Sequence, residues 1–205
     1  LKIGIFSADF NDHPIMYLIK GVFREYNKQN IEMFIFSYGR NKSKKWHQQI
    51  KQNVDHFFEV SDFSDEEIVN FSKTKKLDIA IDLMGYTKYN RMSIFSYRVA
   101  PIQINYLGFL GSVGSDTMDY IIADNIIIPK EYEKFYSEKV IRMPHSYQCN
   151  DNKKEICKET ISRKEFNLPD QAFVFTCFCA NKKITTKEFD IWMRLLKKIE
   201  GSVLW

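Results

Sequence analysis

Four short loops hold the residues of this chain best suited to chemistry: Asn11-Asp12-His13-Pro14, Gly85-Tyr86-Thr87, Gly108-Phe109-Leu110-Gly111 and Asn181-Lys182-Lys183. A neutral imidazole such as His13 can take a proton from a hydroxyl or orient it. Read alone, an unpartnered His13 is more simply an exposed first-turn histidine, and its place at the carboxyl edge of the first strand narrows that gap. Gly85 lets backbone amides approach a ligand, Thr87 adds a hydroxyl, and Lys88 and Arg91 add positive charge; an ordinary turn is the plainer reading. Lys182 and Lys183 stand before a helix, where an ammonium and the positive helix end together can bind a phosphate, although a lysine pair is commonly just a solvated turn. His145, after Pro144, is a further candidate, whereas His47 and His56 read as structural.

Each loop follows an apolar run of strand length, and this shared placement is what unites them. The spacing predicts strands at Lys2 to Ser7, Ile31 to Ser37, His56 to Val60, Asp78 to Leu83, Ile102 to Tyr106, Tyr120 to Ala123 and Val140 to Met143. Between the first two, Ile15, Leu18, Ile19, Val22, Phe23 and Tyr26 form one helical stripe, with Asp12 as its expected cap and Pro14 in its first turn. A basic segment through Gln52 reads as a solvated helix, and Ser64 with Glu67 as a capping box. Strand and helix alternate, so the fold expected is α/β with a doubly wound parallel sheet, because parallel strands need long crossovers. In such sheets ligands sit beyond the carboxyl ends of the strands, which is where these loops fall.

The polar stretch from Tyr147 to Thr160 reads as a linker, giving a first domain over 1–147, a linker over 148–160 and the start of a second α/β domain over 161–205. In that second part Ser162 with Glu165 is a capping box, Phe173 to Phe178 a strand, and Phe189, Trp192, Met193, Leu196 and Ile199 a helical stripe before a last strand. The chain starts in a strand without methionine and stops in another, as a piece of something longer would.

Composition narrows the classes. With 44% hydrophobic and 15% aromatic residues, 205 residues can bury a real core. The 30 basic and 26 acidic residues are interleaved at net +4, so no field suited to nucleic acid is expected. Four cysteines, Cys149, Cys157, Cys177 and Cys179, form neither a disulfide framework nor a zinc pattern, which fits a reducing compartment and no metal. No run approaches the roughly 20 apolar residues of a membrane span, and no signal segment opens the chain, so a cytoplasmic location is expected. Gly108, Gly111 and Gly114 recur every third residue and do not match the dinucleotide fingerprint; P-loop, H-E-x-x-H and G-x-S-x-G motifs are missing.

Longer motifs carry a resemblance. S-A-D-F-N-D-H-P at Ser7 to Pro14, D-L-M-G-Y-T-K at Asp82 to Lys88, A-P-I-Q-I-N-Y-L-G at Ala100 to Gly108, M-D-Y-I-I-A-D at Met118 to Asp124, Y-S-E-K at Tyr136 to Lys139 and M-P-H-S-Y at Met143 to Tyr147 resemble the catalytic region of O-linked N-acetylglucosamine transferases, glycosyltransferase family 41. F-D-I-W-M-R-L-L and G-S-V-L-W extend the match almost to the end.

The resemblance implies a GT-B architecture of two Rossmann-like domains, and an inverting transfer of N-acetylglucosamine from UDP-GlcNAc to serine or threonine hydroxyls of proteins, without metal or other cofactor. It implies that His13 is the active-site histidine beside sugar and acceptor, and that Lys183 contacts the donor diphosphate, with Ala180 in the same nucleotide loop. Gly85, Tyr86, Thr87, Gly108, Gly111 and His145 are the substrate-side residues it suggests. Upstream tetratricopeptide repeats accompany such regions in the family. Two departures stand out: Ala180 replaces a glutamine frequent three residues before the lysine, and Lys182 replaces a tyrosine before it. The family's later H-T-T-G-x-D segment lies beyond this chain, so the piece alone is expected to be inactive. A GDP-fucose or other UDP-hexose donor, an asparagine acceptor, and a non-catalytic binding module on the same fold are the alternatives.

Overall fold

A computed structural model describes residues 1–205. The chain divides into two compact units, Leu1–Lys154 and Glu155–Trp205, the division falling within the polar stretch between Tyr147 and Thr160.

The first unit is built on seven strands: β1 Lys2–Ser7, β2 Glu32–Ser37, β3 His56–Glu59, β4 Ile79–Asp82, β5 Ile102–Asn105, β6 Tyr120–Ala123 and β7 Lys139–Arg142. All pair in parallel in the order β3-β2-β1-β4-β5-β6-β7. The order reverses at β1, so the loops after β1 and β4 diverge from neighbouring strands and open a crevice at the carboxyl edge.

Alternation along the strands sorts the core into two layers. Ile5, Met33 and Ile35 face Ile15, Ile19 and Phe23 of α1 (Pro14–Glu25) and Trp46 and Ile50 of α2 (Lys44–Lys51). Phe6, Phe34 and Phe36 face Ile68 and Val69 of α3 (Asp65–Thr74) and Ile94 and Phe95 of α4 (Ser93–Ser96). Phe6 and Phe36, paired in register, stack with centroids 4.4 Å apart. Burying such a side chain is worth roughly 1.5–3 kcal/mol, so this stacked pair across β1 and β2 is a principal anchor of the layer. The apolar runs are continuous because both faces of the sheet are covered.

Three local expectations are corrected. The cap of α1 is His13, not Asp12, whose carboxylate instead accepts the Tyr17 hydroxyl at 2.5 Å. The helix α2 is not wholly solvated: Trp46, His47 and Ile50 are buried on one face. The first half of the polar stretch after Tyr147 is tied down, since Asp151 accepts from Arg24 at 2.7 Å and pairs with Lys20 at 3.1 Å. The capping box at Ser64 and Glu67 forms as its sequence indicates.

The second unit is a single β-α-β crossover. Strand β8 (Val174–Phe175) pairs in parallel with β9 (Val203–Leu204), and α5 (Thr186–Lys198) joins them. The expected strand Phe173 to Phe178 is shorter, because β9 offers only two partner residues. Cys177 and Cys179 therefore lie beyond the strand, with their sulfurs 3.3 Å apart; all four cysteines are free. A capping box at Thr185 and Glu188 opens α5.

Candidate active site

Four buried polar residues end four strands side by side: Ser37 on β2, Ser7 on β1, Asp82 on β4 and Asn105 on β5. Each is either hydrogen-bonded to the loop that follows or sits where that loop begins. The carboxyl edge is thereby a shelf of polar groups, and a cleft of about 1290 Å³ opens above it. The loop after β1 supplies Asp9, Asp12 and His13, that after β2 Tyr38 and Arg40, that after β4 Thr87, Lys88 and Arg91, and that after β5 Gly108.

His13 reaches its position through the start of α1. Pro14 has no N–H, so the first amide needing an acceptor is that of Ile15, which donates to His13 Nδ1 at 3.3 Å. The same nitrogen lies 3.4 Å from Asp9 Oδ2. Asp9 is held in turn by its backbone N–H, which donates to Ser7 Oγ at 2.9 Å. Burial raises the Asp9 carboxyl above its ordinary value, and the nearby His13 partly offsets this.

Asp82 organises the next loop. Its two carboxylate oxygens accept the amides of Met84 at 3.1 Å and Gly85 at 2.6 Å. Burial pushes its pKa up to about 7 despite these two bonds. The Gly85 amide is thus occupied by Asp82, and Gly85 has φ +51° with Phe109 packed where a β-carbon would be. Its glycine serves the packing of two loops rather than the approach of a ligand. Thr87 Oγ1 donates to Met84 O at 2.8 Å, leaving its oxygen able to accept in the cleft. Arg91 is tied to Asp65 and the Phe63 carbonyl, and Lys88 lies over the Tyr89 ring.

Of the catalytic and substrate-side residues singled out in the first unit, His13, Thr87 and Gly108 line the cleft together, beside Lys88 and Arg91. Gly85, Tyr86, Gly111 and His145 do not. Tyr86 turns its hydroxyl to the Val113 carbonyl at 2.8 Å, Gly111 packs on the Phe109 ring, and His145 is exposed. Among the polar cleft residues that the sequence reading does not single out are Asp9, Tyr38 and Arg40. The D-x-x-x-H spacing was a signal for Asp9, and the position of Tyr38 just past β2 was one for the other two. The Tyr38 hydroxyl is buried and has no hydrogen-bond partner, and burial, with the charges of Asp82 and Asp9, raises its pKa well above the ordinary phenol value.

In the second unit, Ala180 caps a short 3₁₀ turn, Asn181–Lys183, just ahead of α5. Lys183 N–H donates to the Ala180 carbonyl at 2.8 Å, and Ala180 and Lys183 are exposed. No set of three or more histidine, cysteine or acidic side chains converges anywhere in the chain as metal ligands would, and no helix is long and apolar enough to cross a membrane.

The family model for glycosyl transferase family 41 matches residues 1–160. The chain belongs to that family. Among relatives of this family 41 chain, an Arabidopsis thaliana protein named a probable UDP-N-acetylglucosamine–peptide N-acetylglucosaminyltransferase, SEC, is 35% identical over 210 residues, covering 100% of the chain and 22% of the relative. A Caenorhabditis elegans UDP-N-acetylglucosamine–peptide N-acetylglucosaminyltransferase is 30% identical over 157 residues, 74% of the chain and 13% of the relative. The chain thus spans about a fifth or less of the length of these relatives. A solved structure of a Thermobaculum terrenum O-GlcNAc transferase mutant superposes with a TM-score of 0.83 at 22% identity, covering 100% of the chain and 38% of that protein. That likeness shows the fold: a Rossmann-like, GT-B type α/β architecture.

Proposed function

We propose that the full protein containing this family 41 chain is an inverting glycosyltransferase that moves N-acetylglucosamine from UDP-GlcNAc to serine or threonine hydroxyls of proteins. The observation that carries the reading is the family match over residues 1–160, together with relatives whose names state that donor and a peptide acceptor. The cleft fits it chemically. It brings His13 and Thr87 to the carboxyl edge of a doubly wound sheet, where a sugar and an acceptor hydroxyl need polar partners.

In such a transfer the acceptor oxygen attacks the anomeric carbon while the bond to the diphosphate breaks, so negative charge grows on the phosphates. His13 serves the acceptor hydroxyl. Lys183 neutralises the diphosphate, a role open to an exposed ammonium on a turn before a helix. Ala180 belongs to the same nucleotide loop. Gly85, Tyr86, Gly111 and His145 lie outside the cleft, so direct substrate contact in this unit is proposed for Thr87 and Gly108 beside His13. The free cysteines support a cytoplasmic setting, and upstream tetratricopeptide repeats are proposed on the family resemblance alone.

The test is nucleoside diphosphate release by the full-length protein offered UDP-GlcNAc, other UDP-hexoses and GDP-fucose with a protein lysate. Release from UDP-GlcNAc that requires lysate supports the reading. Release from another donor alone replaces the sugar, and no release from a folded protein favours a binding module.

A further inference from the structure

We propose that Asp9 is a positioning residue that fixes which ring nitrogen of His13 carries the proton; the proposal rests on the transfer reading above. Two groups compete for His13 Nδ1. The Ile15 amide, at 3.3 Å, needs a lone pair there, whereas the Asp9 carboxylate, at 3.4 Å, needs a proton there. One nitrogen of a neutral imidazole cannot offer both.

The two outcomes give His13 different chemistry. With Nδ1 capping the helix, the neutral ring carries its proton on Nε2 and can only donate to a substrate oxygen. With Nδ1–H held by Asp9, Nε2 keeps a lone pair and can accept a proton. A carboxylate partner is the stronger claimant, since hydrogen bonds to an ionised acceptor are roughly twice as strong as neutral ones. Asp9 also has reason to seek that proton. Its side chain is 14% exposed, the only basic side chain within ion-pair distance of it is that of His13, and its backbone is pinned by the buried Ser7 hydroxyl at 2.9 Å. A largely buried carboxylate with a single partner gains most from being paired.

The step then balances. The acceptor O–H bond breaks and its proton passes to His13 Nε2. The oxygen's electron pair forms the new bond to the anomeric carbon, and the pair of the broken carbon–oxygen bond leaves with the diphosphate. The imidazolium so formed is stabilised by Asp9 through Nδ1–H, as an orienting carboxylate does for a catalytic histidine.

The experiment is ring-nitrogen NMR of full-length protein carrying ¹⁵N-labelled histidine, with His13→Gln to assign the signal and Asp9→Asn as the isosteric variant. Neutral wild-type His13 is expected to carry its proton on Nδ1. In Asp9→Asn the proton should move to Nε2, with kcat for transfer falling about 100-fold and the donor KM changing less than about twofold. Asp9→Glu should recover part of kcat. A wild-type ring protonated on Nε2, or an Asp9→Asn protein with unchanged kcat, overturns the proposal. If Asp9→Asn does not fold, the wild-type spectrum still decides. If the protein transfers no sugar at all, the transfer reading fails, while the ring nitrogens still report whether Asp9 holds the proton.

Discussion

Gly108 and Leu83 approach so closely that a β-carbon on Gly108 would lie 1.9 Å from the Leu83 carbonyl oxygen. This contact joins the loop after β5 to the end of β4, across the strand pair that carries Asp82 and Asn105. The obstacle is backbone, which cannot swing aside as a side chain would. Gly108→Ala is therefore expected to destabilise the protein by about 3 kcal/mol or more. Thermal or denaturant unfolding of the full-length variant checks this; a change below about 1 kcal/mol would show that the loops separate easily.

Tyr38 offers the opposite case. Its hydroxyl is buried without a partner, and an unsatisfied buried donor costs about 1–3 kcal/mol. Tyr38→Phe keeps the ring against the core and removes only the oxygen. Without ligand, the variant should be more stable than wild type by about 1 kcal/mol or more, measured by unfolding midpoint. Lower stability would mean that the hydroxyl is satisfied in solution.

Asp82 carries a pH signature. Its folded pKa is raised to about 7, against about 3.9 for an unfolded aspartate. Between these values the unfolded chain has lost a proton that the folded chain still holds. Asp82 thus favours folding fully below the unfolded value, and the contribution is lost as pH rises to about 7. His47, whose pKa burial lowers, acts in the other direction near its own unfolded value, so bulk stability blends the two. The direct check is the carboxyl-carbon titration of Asp82 by NMR, expected near neutrality; a midpoint near 4 would contradict the desolvated setting.

Much of this was legible in the residues. Continuous apolar runs such as Lys2 to Ser7 mark strands covered on both faces, and the single stripe of α1 marks a helix packed on one. The order of strands was not legible, because local periodicity carries no information about which neighbour a strand takes. Burial of α2 was missed because basic residues mask the i, i+4 pair Trp46 and Ile50. Residue preference points to Asp12 as the cap of α1, whereas the helix starts at Pro14, which places His13 at the cap position. The strand at Phe173 was over-extended, since its length is set by β9 and not by its own apolar run. In the cleft, His13, Thr87 and Gly108 follow from motif and edge position; Asp9 and Tyr38 carry weaker signals, the D-x-x-x-H spacing and a place just past β2, and the folded loops are what bring them to the same cleft.

Lys183 is the residue on which the proposed chemistry most depends, and its exposed position makes it removable without harm to the fold. The decisive measurement is transfer of labelled N-acetylglucosamine from UDP-GlcNAc to protein by the full-length wild type and by Lys183→Ala, with folding of both checked by circular dichroism. The prediction is protein labelling by wild type and a loss of about 100-fold or more in the variant, the scale on which removal of one charge-stabilising donor acts. Equal labelling by the two proteins would contradict the diphosphate role, and no labelling by a folded wild type would contradict the proposed transfer itself.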